Sequence, residues 1–301
     1  MHHDADLINI VAVGLGLAFI FGALANKLRL SPLVGYLVAG ICVGPFTPGF
    51  VADQALANQL AELGVMLLMF GVGLHFSLKD LMAVKAIAIP GAIGQILVAT
   101  LLGWGLAWLM GWETLHGVVF GFSLATASTV VLLRAMEERR LLETQRGKIA
   151  VGWLIVEDLA CVLALVMMPV LAGVFGPDAA NQTHTVGSVL ASIGWTFVQL
   201  GLFVAVMLVV GRRVIPWVLE RIAGTGSREL FTLSVLAIAL GVAFGSAMLF
   251  GVSFALGAFF AGMLLNESEL SHKAASDSLP LRDAFAVLFF VSVGMLFDPT
   301  I

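Results

Sequence analysis

Two adjacent acidic residues, Glu157 and Asp158, carry the side chains best suited to chemistry in this sequence. Apolar residues flank them on both sides, at positions 152–156 and 159–163. A charge buried in such a segment is costly unless it faces water or a partner. Burial and a like-charged neighbour both favour the protonated carboxyl group, so such a group can bind a proton and a metal cation in turn. The pair predicts a proton- and cation-binding site. Two simpler readings stay open: an acid neutralised by a hydrogen bond between helices, or a membrane boundary drawn in the wrong place.

A polar interruption at positions 123–129 precedes the acidic pair. Its hydroxyl groups belong to Ser123, Thr126, Ser128 and Thr129. Hydroxyls can cap backbone groups where a membrane helix is broken, and transporters expose carbonyl groups to ions at such breaks. Serine and threonine also pack between membrane helices without any such role. Because the interruption comes just before the helix with the two acids, we interpret it as a broken helix that supports an ion path.

The remaining polar residues in apolar segments have simpler interpretations. Glu62 starts the third apolar segment, where the helix macrodipole favours an acid, although a role in an ion path stays open. His75 and His116 lie at segment ends and are interpreted as interfacial. Cys42 and Cys161 are expected to be small buried residues, not a disulfide or a metal site. Neither a G-x-G-x-x-G motif after a strand nor a Walker A motif is present, so we predict no cofactor in this chain.

Composition requires lipid as the solvent for much of the chain. Hydrophobic residues make up 60% of the 301 positions and charged residues 11%, against about 25% charged in soluble domains. The first apolar segment lacks a basic leader and a cleavage site, so it is expected to be retained as a span. The net charge of −4 gives no indication of a nucleic-acid partner. We predict an all-α polytopic membrane protein in contact with the lipid bilayer.

About ten membrane-spanning helices follow from segments near the 20 residues that cross a bilayer. They are residues 7–26, 32–50, 57–76, 84–110, 115–134, 148–173, 187–211, 229–249, 251–266 and 282–298. All 15 lysines and arginines fall in or beside alternate loops, near residues 27–29, 79–85, 134–148, 212–228 and 273–282. The positive-inside rule places these loops in the cytoplasm and the N-terminus outside. Residues 214–228 are expected to form a surface helix and a turn.

Several motifs together resemble bacterial monovalent cation:proton antiporters. The closest resemblance is to the Kef-type potassium efflux branch and, within it, the YbaL-like proteins. The motifs are Gly35-Tyr36-Leu37-Val38-Ala39-Gly40 with Gly44-Pro45, Ala61-Glu62-Leu63-Gly64-Val65, Ala127-Ser128-Thr129, Glu157-Asp158, Gly257-Ala258-Phe259-Phe260-Ala261-Gly262, and Leu288-Phe289-Phe290-Val291-Ser292-Val293-Gly294-Met295.

The resemblance implies an alternating-access antiporter, usually a homodimer, with a discontinuous crossing helix. Asp158 matches the essential aspartate that binds the proton or the cation. Glu157 matches a variable neighbour that either carries a second proton or faces lipid-side neighbours and stays protonated. The stretch 123–129 matches the unwound part of the crossing helix. His272 and Asp277 lie in a segment, 271–277, that looks like the Kef regulatory loop.

The resemblance also implies that residues 1–301 form an incomplete transmembrane transport domain. Relatives normally continue with about three further helices and a cytoplasmic nucleotide-binding regulatory domain. The transported ions are expected to be protons and K⁺ or Na⁺, with potassium favoured only by the nearest relatives. Two alternatives to antiport stay open: a gated potassium channel-like conduit, and a non-transporting membrane fragment used for dimerisation. An enzyme is not expected, because no nucleophile–base or metal-ligand set occurs at one depth.

Overall fold

The computed structural model describes residues 6–47, 53–175, 186–266, 268 and 270–298. Within these residues the regular structure is helical and contains no strand. A π-helical turn, Met207–Gly211, joins the eighth helix to the ninth. The α-helices are α1 (Asp6–Lys27), α2 (Pro32–Val43), α3 (Gln54–Gly73), α4 (Leu78–Leu109), α5 (Thr114–Ala125), α6 (Thr129–Glu138), α7 (Gln145–Phe175), α8 (Val186–Val206), α9 (Arg212–Ala223), α10 (Arg228–Phe250), α11 (Phe254–Asn266) and α12 (Ser271–Met295).

The helices confirm the prediction of an all-α polytopic membrane protein. Every predicted span contains helix, and the fifth span is divided between α5 and α6. Within the described residues, six helical segments are long and apolar enough to cross a membrane, and α2 and α11 are shorter apolar helices. The predicted surface helix corresponds to α9, followed by a turn in which Gly226 has φ +74°.

The predicted end of the second span is wrong. This span was expected to reach residue 50, but α2 ends at Val43. Gly44 is extended, with φ −75° and ψ 164°, and Pro45 follows it. A proline disfavours helical backbone in the residue before it, so the helix stops there although the apolar character continues.

One compact unit consists of residues within 1–74, 211–247 and 253–301. Its helices approach closely at glycines, because membrane helices pack through small residues. A Cβ atom on Gly40 of α2 would meet the carbonyl oxygen of Val291 in α12, and one on Gly262 of α11 would meet that of Phe70 in α3. Arg282 is buried in this unit and pairs with Asp283 at 3.0 Å.

The other compact unit consists of residues within 75–210 and 248–252. Its long helix α4 starts with a capping box, in which the Ser77 and Asp80 side chains bond to each other's backbone N–H groups. Asp80 also forms an ion pair with Lys148 in the first turn of α7, with 2.5 Å between Oδ1 and Nζ. Farther along α4, the Trp153 ring of α7 occupies the space beside Gly91. These contacts hold α4 against the helix that carries the two acids.

The interpretation of Glu62 as a helix-terminal acid is wrong. The side chain of Asp53 caps α3 by accepting the N–H of Leu56 at 2.9 Å, so the helix starts before the apolar segment does. Glu62 therefore lies in the third turn, with its side chain exposed. Macrodipole stabilisation is confined to the first turn and does not reach this position.

Candidate functional site

The fifth membrane segment is a broken helix. α5 ends at Ala125 and α6 begins at Thr129. The backbone between them is extended, with ψ 118° at Thr126 and ψ 110° at Ser128. The break lies within the polar interruption, which confirms the prediction of a discontinuous helix.

Hydroxyl groups bond to backbone atoms on both sides of this break. Ser123 and Thr126 each donate to the carbonyl oxygen four residues earlier, at 2.9 and 3.3 Å. Ser128 is the N-cap of α6 and accepts the N–H of Val131 at 3.4 Å. Ser128 thus caps the start of α6, while Ser123 and Thr126 bond to carbonyl groups in the last two turns of α5. This arrangement answers the requirement that backbone groups in a membrane be hydrogen-bonded inside the protein.

Both acids of α7 face the broken segment. Glu157 is 2% exposed and accepts a hydrogen bond from the N–H of Ala127. Asp158 is half-buried, and the hydroxyl of Thr129 lies 3.3 Å from each of its carboxylate oxygens. The neighbouring carboxylates therefore contact positions two residues apart in the broken helix. Glu157 is enclosed against Ala127, and its role, as carrier of a second proton or as an acid that stays protonated, remains a prediction.

The ends of the two half-helices create a polarised environment beside Asp158. Thr129 is the first residue of α6, where the helix dipole presents partial positive charge. The carboxyl end of α5 presents partial negative charge and carbonyl oxygens a few residues away. Cys161, one turn along α7 from the acids, is half-buried and lies with its Sγ 3.5 Å from the Thr126 hydroxyl. The arrangement places a carboxylate and a hydroxyl side by side at Asp158 and Thr129, and both are oxygen ligands of the kind that hard cations prefer.

A cavity of about 440 Å³ adjoins Glu157. The residues from α7 that line it recur every three or four positions, so they lie on one face of that helix. This face extends from the first turn of α7 to Glu157, about 16 Å at helical rise. The lining residues are Gln95, Ala127, Leu132, Arg146, Ile149, Ala150, Trp153, Leu154 and Glu157. The walls are mostly apolar, with polar groups from Gln95, Arg146 and Glu157.

Gln95 is a polar residue of this site that sequence reasoning did not single out. Its Nε2 donates to the carbonyl oxygen of Ala125, the last residue of α5, at 2.7 Å. Its Oε1 is buried, and the described residues supply no hydrogen-bond donor to it. A hydrogen bond contributes about 0.5–1.5 kcal/mol net, whereas an unsatisfied buried polar group costs about 1–3 kcal/mol. Stability alone therefore does not account for an amide here. The signal was present in the sequence, because Gln95 is the sole amide residue of α4.

The segment interpreted as a regulatory loop is helical. Residues 271–277 form the first turns of α12, in which Ala274 is fully buried. Alanine has the highest intrinsic preference for helix, which is consistent with this start. The side chains of His272 and Asp277 lie outside the residues that the structure describes, and their regulatory role stays a prediction.

A helical membrane protein with a broken helix beside an intramembrane carboxylate has the architecture of a secondary ion transporter. The chain belongs to the sodium/hydrogen exchanger family, because the model for "Sodium/hydrogen exchanger, transmembrane" matches residues 15–301.

Three relatives illustrate the similarity within this family. The chain is 67% identical over its whole length to YbaL of Escherichia coli (strain K12), which is provisionally named a cation/proton antiporter. The match covers 53% of the length of YbaL. An uncharacterised protein encoded in the phaC 3′ region of Methylorubrum extorquens is 63% identical over 90% of the chain and is covered completely. K(+) efflux antiporter 4 of Arabidopsis thaliana is 34% identical over 91% of the chain, with 45% of its length covered. The chain thus spans about half the length of two of these curated relatives.

Proposed function

We propose that this chain forms the ion-binding part of a monovalent cation:proton antiporter that works by alternating access. The observation that carries the proposal is the position of Asp158, on α7, against the first residue of the half-helix α6. A carboxylate there can bind a cation together with oxygen atoms of the break, or bind a proton in its place. Because one group cannot hold both, occupancy by one ion requires release of the other.

The residues around Asp158 have separate roles in this proposal. Thr129 orients the Asp158 carboxylate through its hydroxyl. The hydroxyls of Ser123, Thr126 and Ser128 bond to backbone groups of the two half-helices that flank the break and so support its geometry. Glu157 holds the extended segment 126–128 by accepting the Ala127 N–H. If Glu157 carries a second proton, its protonation state decides whether each transport cycle is electrogenic or electroneutral.

Potassium is the proposed cation, since one relative is named a K(+) efflux antiporter. Sodium is the competing candidate because of the family's name. We further propose that the protein is a homodimer of the bacterial inner membrane with a periplasmic N-terminus. The charge distribution of the loops supports that orientation.

The central test is the Asp158→Asn variant of the full-length protein, reconstituted into proteoliposomes. Asparagine keeps the size of the side chain but cannot gain or lose a proton, so pH-gradient-driven K⁺ or Na⁺ exchange should fall to the level of protein-free liposomes. The matched control is Asp53→Asn. Asp53 caps α3, and asparagine is an equally good N-cap residue, so exchange should be unchanged.

Three outcomes contradict the proposal. Unchanged exchange by Asp158→Asn rules out Asp158 as the carrier. Cation flux that is independent of the proton gradient in the wild type identifies a conduit instead of an antiporter. A wild-type protein that is folded and inserted but moves neither ion points to a non-transporting membrane component.

A further inference from the structure

Gln95 connects α4 to the break in the fifth membrane segment. In an uninterrupted helix, the carbonyl of Ala125 would accept the N–H of Thr129, four residues later. The break removes that partner, and the Gln95 amide replaces it with a bond of 2.7 Å. This bond joins residues that are 30 positions apart, so it is made by tertiary packing and not by the local sequence.

The contacts on the other side of the break lead directly to the two acids. Two residues after Ala125, the Ala127 N–H donates to Glu157, and two residues further on the Thr129 hydroxyl meets Asp158. The segment 126–128 is therefore held at its start by α4 and along its length by α7. The three contacts therefore lie within five consecutive residues, 125–129, so a change at the Ala125 carbonyl acts on a short segment that both acids contact.

We propose that Gln95 is a positioning residue for the ion site, which sets the geometry of the break by holding the end of α5. The inference rests on the proposed cation and proton binding at Asp158. The bond itself supports it, since an apolar side chain at position 95 could not donate to the Ala125 carbonyl. Gln95 also lines the cavity that adjoins Glu157.

The first experiment compares Gln95→Leu with Gln199→Leu in the full-length protein. Leucine is a good helix former of similar size, but it lacks the amide that donates to Ala125. Gln199 is another partly buried glutamine in the same compact unit, on α8, and does not line the cavity. Gln95→Leu should raise the half-saturating cation concentration about fivefold or more, which corresponds to the loss of one hydrogen bond. Gln199→Leu should leave it within about twofold.

A second measurement reads binding without transport. Cations that bind the native state at concentration c stabilise it by RT ln(1 + c/Kd), so the melting temperature rises with the ratio of cation concentration to dissociation constant. For Gln95→Leu the cation concentration that produces a given rise in melting temperature should increase by the same factor as the half-saturating concentration. A change in the cation-free melting temperature alone, with an unchanged cation dependence, would show a merely structural role and overturn the proposal.

A third variant, Gln95→Glu, tests the donor itself. A protonated carboxyl group can donate its O–H to the Ala125 carbonyl, and an ionised one cannot. The charged groups along the adjoining cavity are Glu157 and Arg146, and Asp158 follows Glu157. The ratio of half-saturating concentrations, variant to wild type, should approach one as the pH is lowered and should rise with pH. A ratio that does not depend on pH would contradict the donor role.

The failure of this inference is distinguishable from failure of the proposed function. If wild-type protein exchanges ions, Asp158→Asn does not, and Gln95→Leu retains wild-type cation dependence, only the role of Gln95 is wrong. If Asp158→Asn retains exchange, the site itself is wrong and the role of Gln95 falls with it.

Discussion

Thr129 is the residue through which the broken helix meets Asp158. Its hydroxyl lies at equal distances, 3.3 Å, from the two carboxylate oxygens. A hydroxyl can donate to an ionised carboxylate and can also turn to accept from a protonated one. Thr129 can therefore remain bonded to Asp158 in both protonation states.

Thr129→Val should weaken cation binding without unfolding the protein. Valine is nearly isosteric but lacks the hydroxyl, so the carboxylate loses its fixed orientation. We expect the half-saturating cation concentration to rise about fivefold, the equivalent of one hydrogen bond, and Thr129→Ser to restore it. Proteoliposome exchange over a range of cation concentrations measures the effect.

The control for Thr129 is Thr232→Val, which removes a hydroxyl bonded within α10 to the carbonyl of Arg228. Its half-saturating concentration should match that of the wild type. Equal effects of Thr129→Val and Thr232→Val would contradict a specific role for Thr129.

At the residue scale, the sequence could identify the acids and hydroxyls because charge and polarity stand out in apolar segments. It could not identify the partners of those groups. The bond from Ala127 to Glu157 and the bond from Gln95 to Ala125 each join residues 30 positions apart. Such bonds depend on how α4, α5 and α7 pack together, and no local pattern encodes that packing.

At the scale of elements, the packing of α4 against α5 depends on glycine. A Cβ atom on Gly121 of α5 would meet the carbonyl oxygen of Thr100 in α4, and one on Gly103 of α4 would meet the Gly121 Cα. The two helices therefore touch backbone to backbone. This close approach also fixes the position of α5, whose last carbonyl Gln95 holds.

Gly121→Leu should destabilise the protein by about 1–3 kcal/mol, because a large side chain must separate two packed helices. The matched control is Gly94→Leu on α4, where a Cβ atom meets nothing within 4 Å. Thermal unfolding in detergent, followed by the loss of the monodisperse peak in size-exclusion chromatography, compares the two variants. Equal melting temperatures for Gly121→Leu and the wild type would contradict the backbone contact.

Element positions were largely predictable from apolar length, whereas element ends were not. The apolar character of the second span continues beyond Val43, but Gly44 and Pro45 end the helix. In the third span, the cap at Asp53 starts the helix earlier and moves Glu62 into its third turn. In both cases local backbone chemistry overrides hydropathy, since capping and proline act on single residues that a long window averages out.

At the scale of the whole molecule, the alternation of basic loops predicts which surface faces the cytoplasm. The turn between α4 and α5 contains no lysine or arginine, whereas the segment with α9 contains several. The side chain of Glu113, in the turn between α4 and α5, is 84% exposed, and Thr225 is exposed in the turn after α9.

Glu113→Cys should react with a membrane-impermeant maleimide in intact spheroplasts, and Thr225→Cys only after the membrane is opened. Both changes are made in a background with Cys42 and Cys161 replaced, because both native cysteines are free and partly accessible. The unsubstituted background is the control for labelling elsewhere. The reverse pattern of labelling would show that the positive-inside rule assigns this protein the wrong orientation.

The set of helices that forms each of the two compact units was not predictable from local sequence. One unit joins α1–α3 to helices that follow residue 210, so it is assembled from distant parts of the chain. Hydropathy marks each helix as apolar without indicating its neighbours. Close-packed glycines such as Gly40 and Gly262 determine those neighbours, and their pairings appear only in three dimensions.

The contact between Trp153 and Gly91 gives the site an optical property. The chain has six tryptophans, and among the residues described around the cavity Trp153 is the one that lines it with Glu157. Indole emission shifts with the polarity around the ring, so hydration of the cavity changes the emission of Trp153. Subtracting the spectrum of a Trp153→Phe variant isolates that contribution from the other five. The packing of α4 on α7 thus places an intrinsic fluorophore where hydration of the cavity can be followed in real time.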